Sequence, residues 1–297
     1  MGVMDLATIE LIADDDYACI SGGGFEFRDI KLDVEPEGPF SDELELKFVE
    51  SVGRPGGMAP KEDYPVRELV LPFNLYDVGG GIEATVSRFR KLWRSGRSVR
   101  WQVTTGLSGT RWLDLRRSKG IKFSPARDWN LDGYATATVT AVALWPFYES
   151  PPLELTAANP SSGMHTLWFP VANPTDQRGY LQWSFKPNGT AQFAFPDFSF
   201  GNEQEIDATW LPGYLDDRMI GTPEISVMWN VRHPRMGAPY LTADLSDANG
   251  QMGGSYPLFW VPPYTDETLL PVIVDGPAGA QVKCKMRQFW SADSGLE

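Results

Sequence analysis

Apolar and polar residues alternate along much of the chain. In ELELKFVE, Leu44, Leu46 and Phe48 alternate with Glu45 and Lys47; in RSVRWQV, Val99, Trp101 and Val103 alternate with Arg100 and Gln102. A period of two puts alternate side chains on one sheet face, so both segments predict strands with one buried and one wet face. YATATVTAVALW alternates throughout, with Thr136, Thr138, Thr140 and Val142 on one side and Ala137, Val139, Ala141 and Ala143 on the other. This predicts a long strand whose small-residue face suits close packing against another sheet or subunit. One segment breaks the pattern. Ile82, Val86, Phe89 and Trp93 recur at intervals of four, three and four, which predicts a helix near 82–95 between the strands RELVLPF and RSVRWQV. Gly79, Gly80 and Gly81 free the chain before it, and Gly96 is the expected C-terminal cap.

Near WPFYESPPLELTAANPSSG the punctuation changes, because Pro146, Pro151, Pro152 and Pro160 remove ladder donors. A domain boundary is expected there, giving domains 1–150 and 151–297. Beyond it YLQWSF, AQFAF, ISVMWNV, LPVIVD and AQVKCKMRQFW are short apolar or alternating runs bounded by turn residues, with no helical period among them. The last predicts a strand with Val282, Cys284 and Met286 inward and Gln281, Lys283 and Lys285 outward. The fold class is therefore mainly β: an N-terminal β-sandwich-like domain with one packed helix, then a β-sandwich or jelly roll. A length of 297 residues allows each domain its own core, and the 11 Trp, 24 Pro and 29 Gly, spread along the chain, agree with many short strands and tight turns.

Charge adds a second pattern. The formal net charge is −13, and residues 1–50 alone hold fourteen acids against Arg28, Lys31 and Lys47. Yet Arg88 to Arg127 holds twelve Lys or Arg and one acid, Asp114. Nucleic-acid binding would use such cations on phosphates. A pI near 4.7 opposes it, and no recognition motif accompanies the block. Arginine also favours protein interfaces, where its fork meets carboxylates. The reading is self-association across a repeated head-to-tail interface, with Arg88, Arg90, Arg94 and Arg97 as candidate subunit contacts and an acidic segment such as 1–50 of a neighbour as their partner.

Catalytic chemistry is hard to place. His165 and His233 have no ligand spacing around them and read as loop or surface histidines; Cys19 and Cys284, far apart, read as inert buried thiols. No metal, cofactor or catalytic residue is assigned, and there is no G-x-S-x-G elbow. Gly22 to Gly24 and Gly79 to Gly81 read as turns rather than phosphate cradles, and Asp14 to Asp16 as a solvated acidic turn. No run approaches the roughly 20 apolar residues of a membrane span. The N-terminus lacks the pattern of a secretory signal, so residence in a cytosol is expected.

Longer words in the chain carry a resemblance. RELVLPFNLYDVGGGIEATVSRFRKLW, WPFYES, WFPVANPTDQRGYLQWSF, FPDFSFGNEQEIDATWLPGY and the terminal RQFWSADSGLE resemble the minor tail proteins of long, noncontractile-tailed phages of actinobacteria, and more closely the distal tail protein class. The resemblance spans nearly the whole chain; ANPTDQRGY and FPDFSFGNE are its more specific parts. It implies a virion structural protein, not an enzyme. The N-terminal domain would form a homohexameric ring at the end of the tail tube, with a C-terminal galectin-like sandwich outside it. The implied partners are further copies of the chain, the tail tube protein above, the tail-tip or baseplate hub protein below, and receptor-binding proteins. DNA would pass through an acidic lumen without specific binding. The implied location is the virion tail, with assembly in the host bacterial cytoplasm and no membrane insertion.

A reading from another class is a carbohydrate-binding adhesion protein that recognises host cell-wall glycans through exposed Trp of the second half, among Trp168, Trp183, Trp210, Trp229 and Trp260. A glycan hydrolase would need a carboxylate pair, and nothing selects two of the sixteen acids there.

Overall fold

Alternation in the sequence becomes alternation in burial. The computed structural model describes residues 7–22, 28–41, 45–50, 57–125, 127–202 and 217–297, with the backbone course alone for 45–50 and 57–63. The chain forms two units, Met1–Ser150 together with Trp290–Glu297, and Pro151–Phe289. The division differs from 1–150 and 151–297 at the C-terminus, because the last eight residues belong to the first unit.

In the first unit the strands are β1 (Thr8–Ile12), β2 (Tyr17–Ser21), β3 (Ile30–Leu32), β4 (Glu45–Glu50), β5 (Gly57–Asp63) and β6 (Arg67–Tyr76), then helix α1 (Ile82–Leu92), β7 (Ser98–Thr105), β8 (Gly109–Arg117), β9 (Lys122–Phe123), the single turn α2 (Trp129–Asp132) and β10 (Tyr134–Ala143). β11 (Tyr148–Ala158) begins here and runs on into the second unit. The antiparallel order is β2-β1-β7-β8-β10-β6-β3, with β9 on β10 and β4 paired with β5. β10 and β6 match over their whole length, from Tyr134 opposite Tyr76 to Ala143 opposite Arg67. Ala135, Ala137, Val139, Ala141 and Ala143 point into the core, opposite residues that include Leu75, Phe73, Leu71 and Leu69. The small-residue face of β10 thus lies inside its own unit. The alternation at Leu44, Leu46 and Phe48 falls on side chains outside the described ones.

α1 packs on this sheet through Ile82, Val86, Phe89 and Leu92, with Trp93 buried just beyond its end. The Phe89 ring meets Phe73 edge-on at 5.1 Å. The helix stops at Leu92, short of the expected 95: Trp93 caps it, its N–H donating to Phe89 O at 3.1 Å, and Gly96 lies in the following turn at φ 79°. At the N-terminus Asp77 Oδ1 accepts from the N–H groups of Gly79 and Gly81 at 2.8 and 2.9 Å. Those amides serve the turn.

The second unit is a sandwich. β12 (Gly163–Asn173), β13 (Leu181–Lys186), β14 (Gln192–Pro196), β15 (Met219–Gly221), β16 (Trp229–Arg232), β17 (Tyr240–Thr242), β18 (Thr265–Gly276) and β19 (Gln281–Trp290) form two sheets, ordered β12-β18-β14-β15 and β17-β16-β13-β19-β11. Phe169, Phe193, Val272 and Val274 of the first sheet face Trp183, Phe185, Val282 and Cys284 of the second. Phe169 meets Trp183 at 5.4 Å edge-on and Phe185 stacks on Phe193 at 4.8 Å, so aromatic contacts join the layers. β19 buries Val282, Cys284 and Met286 as its alternation requires.

Candidate functional site

The basic block has a place in the fold. α1 turns one face to the core and the other, with Ser87, Arg90 and Lys91, outward; Arg94 and Arg97 continue that side past its end. Arg90 and Lys91 occupy the last turn, where positive charge complements the carbonyl end of the helix dipole. Opposite them, Asp14, Asp15 and Asp16 form the turn between β1 and β2, closed by a hydrogen bond from Ala13 N–H to Asp16 O at 2.9 Å. Between the two walls lies an open groove of about 680 Å³, lined by Asp14, Asp15, Asp16, Arg90, Arg94 and Arg97 among others.

The four expected contact arginines divide by their partners. Arg88 donates to Asp16 Oδ2 at 2.9 Å, to Asp29 Oδ2 at 2.5 Å and to Tyr17 O at 2.5 Å. The hydrogen bond to Asp16 is the main influence holding it firmly protonated. Arg88 therefore ties α1 to the β1–β2 turn and the approach to β3 within its own subunit. Arg97 pairs with Asp14 at 3.2 Å, both side chains 64% exposed, a geometry that contributes little to stability. Arg90 lies over the Phe123 ring at 4.9 Å. The Arg94 side chain is exposed and has no hydrogen bond, ion pair or ring contact among the described residues. The acidic turn, read as solvated, is engaged at two of its three carboxylates: Asp16 and Asp14 carry these partners, while Asp15 faces the groove.

Elsewhere the block serves the subunit itself. Arg100 pairs with Asp114 at 2.9 Å and lies over Trp112 at 4.7 Å. Arg111, which nothing in the local sequence separates from its neighbours, is fully buried. It donates to Ala292 O, Gly295 O and Glu297 Oε1 at 3.1, 2.8 and 2.6 Å, with Trp290 lying 3.7 Å from the guanidinium. Arg67 donates to Ser291 O at 2.7 Å. Backbone carbonyls of residues 291–295 and the Glu297 carboxylate thus accept from two buried guanidinium groups.

In the second unit the more specific words of the resemblance prove to be polar staples. Asn173, in ANPTDQRGY, is buried and donates to Gln177 O, Val261 O and Pro262 O at 2.8, 3.1 and 2.9 Å. Asp197, in FPDFSFGNE, accepts from Leu258 and Phe259 N–H and from Arg218, and Asn202 donates to Trp260 O at 3.0 Å. Each staple satisfies backbone groups of the 258–262 segment, which runs between β17 and β18 outside the regular ladders. Burial outweighs Arg218 and lifts the Asp197 carboxyl to about 6.

The histidines depart from a surface reading in one case. His233 is 6% exposed: its Nδ1 accepts from Arg235 N–H, its Nε2 lies 3.0 Å from Leu258 O, and burial lowers its pKa. His165 is half-buried beside Ser161 at 3.1 Å. Cys284 is buried, which pushes its thiol up to about 12, whereas Cys19 is half-buried rather than enclosed. Among the described residues no cluster of His, Cys, Asp or Glu is placed to hold a metal ion, and no helix is long and apolar enough to cross a membrane. Of the tryptophans proposed as sugar platforms, Trp183, Trp229 and Trp260 are buried and Trp168 is 58% exposed on β12; Trp210 lies outside the described residues.

No protein-family model matches the sequence, and no curated protein matches it significantly. Solved structures do. The chain is similar to the Dit protein (gp 19.1) of phage SPP1, described as a paradigm of hub adsorption apparatus in phages infecting Gram-positive bacteria, with a TM-score of 0.59 and 11% identity over 95% of this chain and 98% of that one. Baseplate structures of phage P2 in the activated conformation with Ca and with Sr match over the same shares, at TM-scores of 0.48 and 0.47 and identities of 8% and 9%. At such identities the likeness is one of fold, and the likeness to the SPP1 Dit protein extends over both units.

Proposed function

We propose that this chain is a structural protein of a phage tail, a distal tail component whose copies form a ring joining the tail tube to the tip or baseplate and its host-adsorption apparatus. The observation that carries the reading is the fold likeness to the SPP1 Dit protein across 95% of the chain. The resemblance in sequence words to distal tail proteins of actinobacterial siphophages supports it and selects that group of hosts. The role is one of assembly rather than catalysis, with the tail tube protein, a baseplate hub protein and receptor-binding proteins as partners.

The groove on the first unit is the proposed subunit contact. Arg88 is engaged within its own subunit, so the contact falls to Arg90, Lys91 and Arg94, with Arg97 recruited from its exposed pair. An acidic segment of the neighbouring copy meets them, and head-to-tail repetition closes the ring. An acidic bore lets DNA pass unbound.

The test is assembly of Lys91→Glu/Arg94→Glu by sedimentation. Both side chains are exposed, so the variant keeps its fold by circular dichroism. Loss of the large species at unchanged melting temperature supports the reading; undiminished assembly removes this face from the interface.

A further inference from the structure

The outer face of the β17-β16-β13-β19-β11 sheet carries an array of polar side chains that a hub does not require. Cross-strand register aligns them in two rows. Arg232 stands opposite Gln182, which stands opposite Lys285; Asn230 stands opposite Ser184, which stands opposite Lys283. The residues between them, Val231, Trp183 and Cys284, are buried in the sandwich core, so the array rests on a packed floor. Ser184 Oγ and Asn230 Oδ1 are 2.7 Å apart, which fixes one row. From β11, Glu154 accepts from Lys283 Nζ at 2.7 Å and Lys285 Nζ at 2.9 Å, holding the two ammonium groups side by side at the surface.

Charge on this face runs against that of its unit. Residues 151–289 contain fourteen acids and eight bases, yet Lys186, Arg232, Lys283, Lys285 and Arg287 all lie on alternating outward positions of these strands, where Glu154 is the one acid of the unit. The array has no aromatic side chain at its centre, and the aliphatic Leu241 joins it only at the β17 edge, opposite Asn230. Buried aromatic anchors are common at the centre of protein interfaces, and this array has none. Single-stranded nucleic acid needs aromatic platforms for its bases. Outward positions recur about 7 Å apart along β19 and about 10 Å apart across three strands. Cationic, amide and hydroxyl side chains on such a grid suit a hydrated chain bearing both hydroxyls and negative charges.

We propose that this face binds an anionic polysaccharide, with Lys285, Arg232 and Lys283 on its acidic groups and Gln182, Ser184 and Asn230 on its hydroxyls. Recognition comes from the register of four strands rather than from a tryptophan platform.

The full chain is titrated at low salt with labelled polygalacturonate, which has a carboxylate on each sugar, beside dextran as the uncharged polymer, polyphosphate as the anion without sugar, and poly-glutamate as the acidic peptide. Polygalacturonate binds, weakening as salt rises, and dextran does not. Lys285→Gln and Arg232→Gln each weaken binding about tenfold or more, the scale of a lost charge-assisted hydrogen bond. Ser184→Ala weakens polygalacturonate while leaving any polyphosphate binding unchanged. No binding at low salt overturns the proposal, as do equal affinities of wild type and the Lys285→Gln/Arg232→Gln double variant. Polyphosphate or poly-glutamate binding as tightly as polygalacturonate also overturns it, in favour of a general anion patch or a protein contact. Ring assembly is read separately by solution mass, so failure here leaves the hub reading untouched.

Discussion

Arg111 donates to Glu297 at 2.6 Å across 186 positions of sequence, and the arginine side chain is fully buried. The chain leaves its first unit at Ser150, builds the second, and returns at Trp290 to close the core it began. Trp290 Nε1 donates to Ser150 Oγ at 2.9 Å, so the points of exit and return are fastened to each other.

Removing residues 290–297 strips Arg111 of its carboxylate and two carbonyls and opens the core where Trp290 sat. Leaving a buried charge without its partners costs about 3 to 5 kcal/mol. Urea unfolding of the truncated chain reads this loss. Adding Arg111→Met to the truncation recovers part of it, because the stranded charge is gone; no recovery would mean that packing alone explains the tail.

Phe89→Ala empties the contact between α1 and β6. Phe89 is fully buried, and the expected loss is about 3 to 5 kcal/mol, read as a lower denaturation midpoint at unchanged slope. A loss below about 1 kcal/mol would show that the helix is not anchored there.

Gly179 ends the ANPTDQRG turn where a Cβ would lie 2.4 Å from Met286 Sδ, inside the sandwich. Gly179→Ala therefore costs about 1 to 3 kcal/mol through overpacking. The smaller side chain of Met286→Ala, destabilising alone, makes the second substitution nearly free. Additive losses in that double variant would place the strain elsewhere.

Asp197 makes the stability of the second unit depend on pH. Its folded carboxyl is raised to about 6 from 3.8, so between those values the folded state holds a proton that the unfolded chain has released. This group's contribution accordingly grows as pH falls through 6 and is complete below about 4. Unfolding at pH 7 and pH 5 shows it as a gain toward acid that Asp197→Asn abolishes. An identical pH dependence in the variant would contradict the burial argument.

What the sequence displays depends on whether a residue's neighbours are local. Periods of two and 3.6 report faces, and so β10, β19 and the buried stripe of α1 are readable from the order of residues alone. The helix end is not, because Trp93 continues the apolar stripe while its own backbone has left the helix. Partners distant in the chain stay hidden. Arg111 looks like any member of the basic block until the C-terminus folds onto it, and Arg88 looks like a surface cation until Asp16 and Asp29 enclose it. The array of Arg232, Gln182 and Lys285 comes from three strands that meet only in the sheet. ANPTDQRGY and FPDFSFGNE stand out as words, and their meaning as staples emerges only with the carbonyls and amides they bind.

Closure of copies of this chain into a ring is read by native mass spectrometry of the purified protein, at low and moderate ionic strength over a range of concentrations. The expected result is a discrete species of about 200 kDa, six copies of the 33.1 kDa chain, weakening as salt screens the arginine contacts. A monomer under every condition, or an open-ended ladder of sizes, would contradict it.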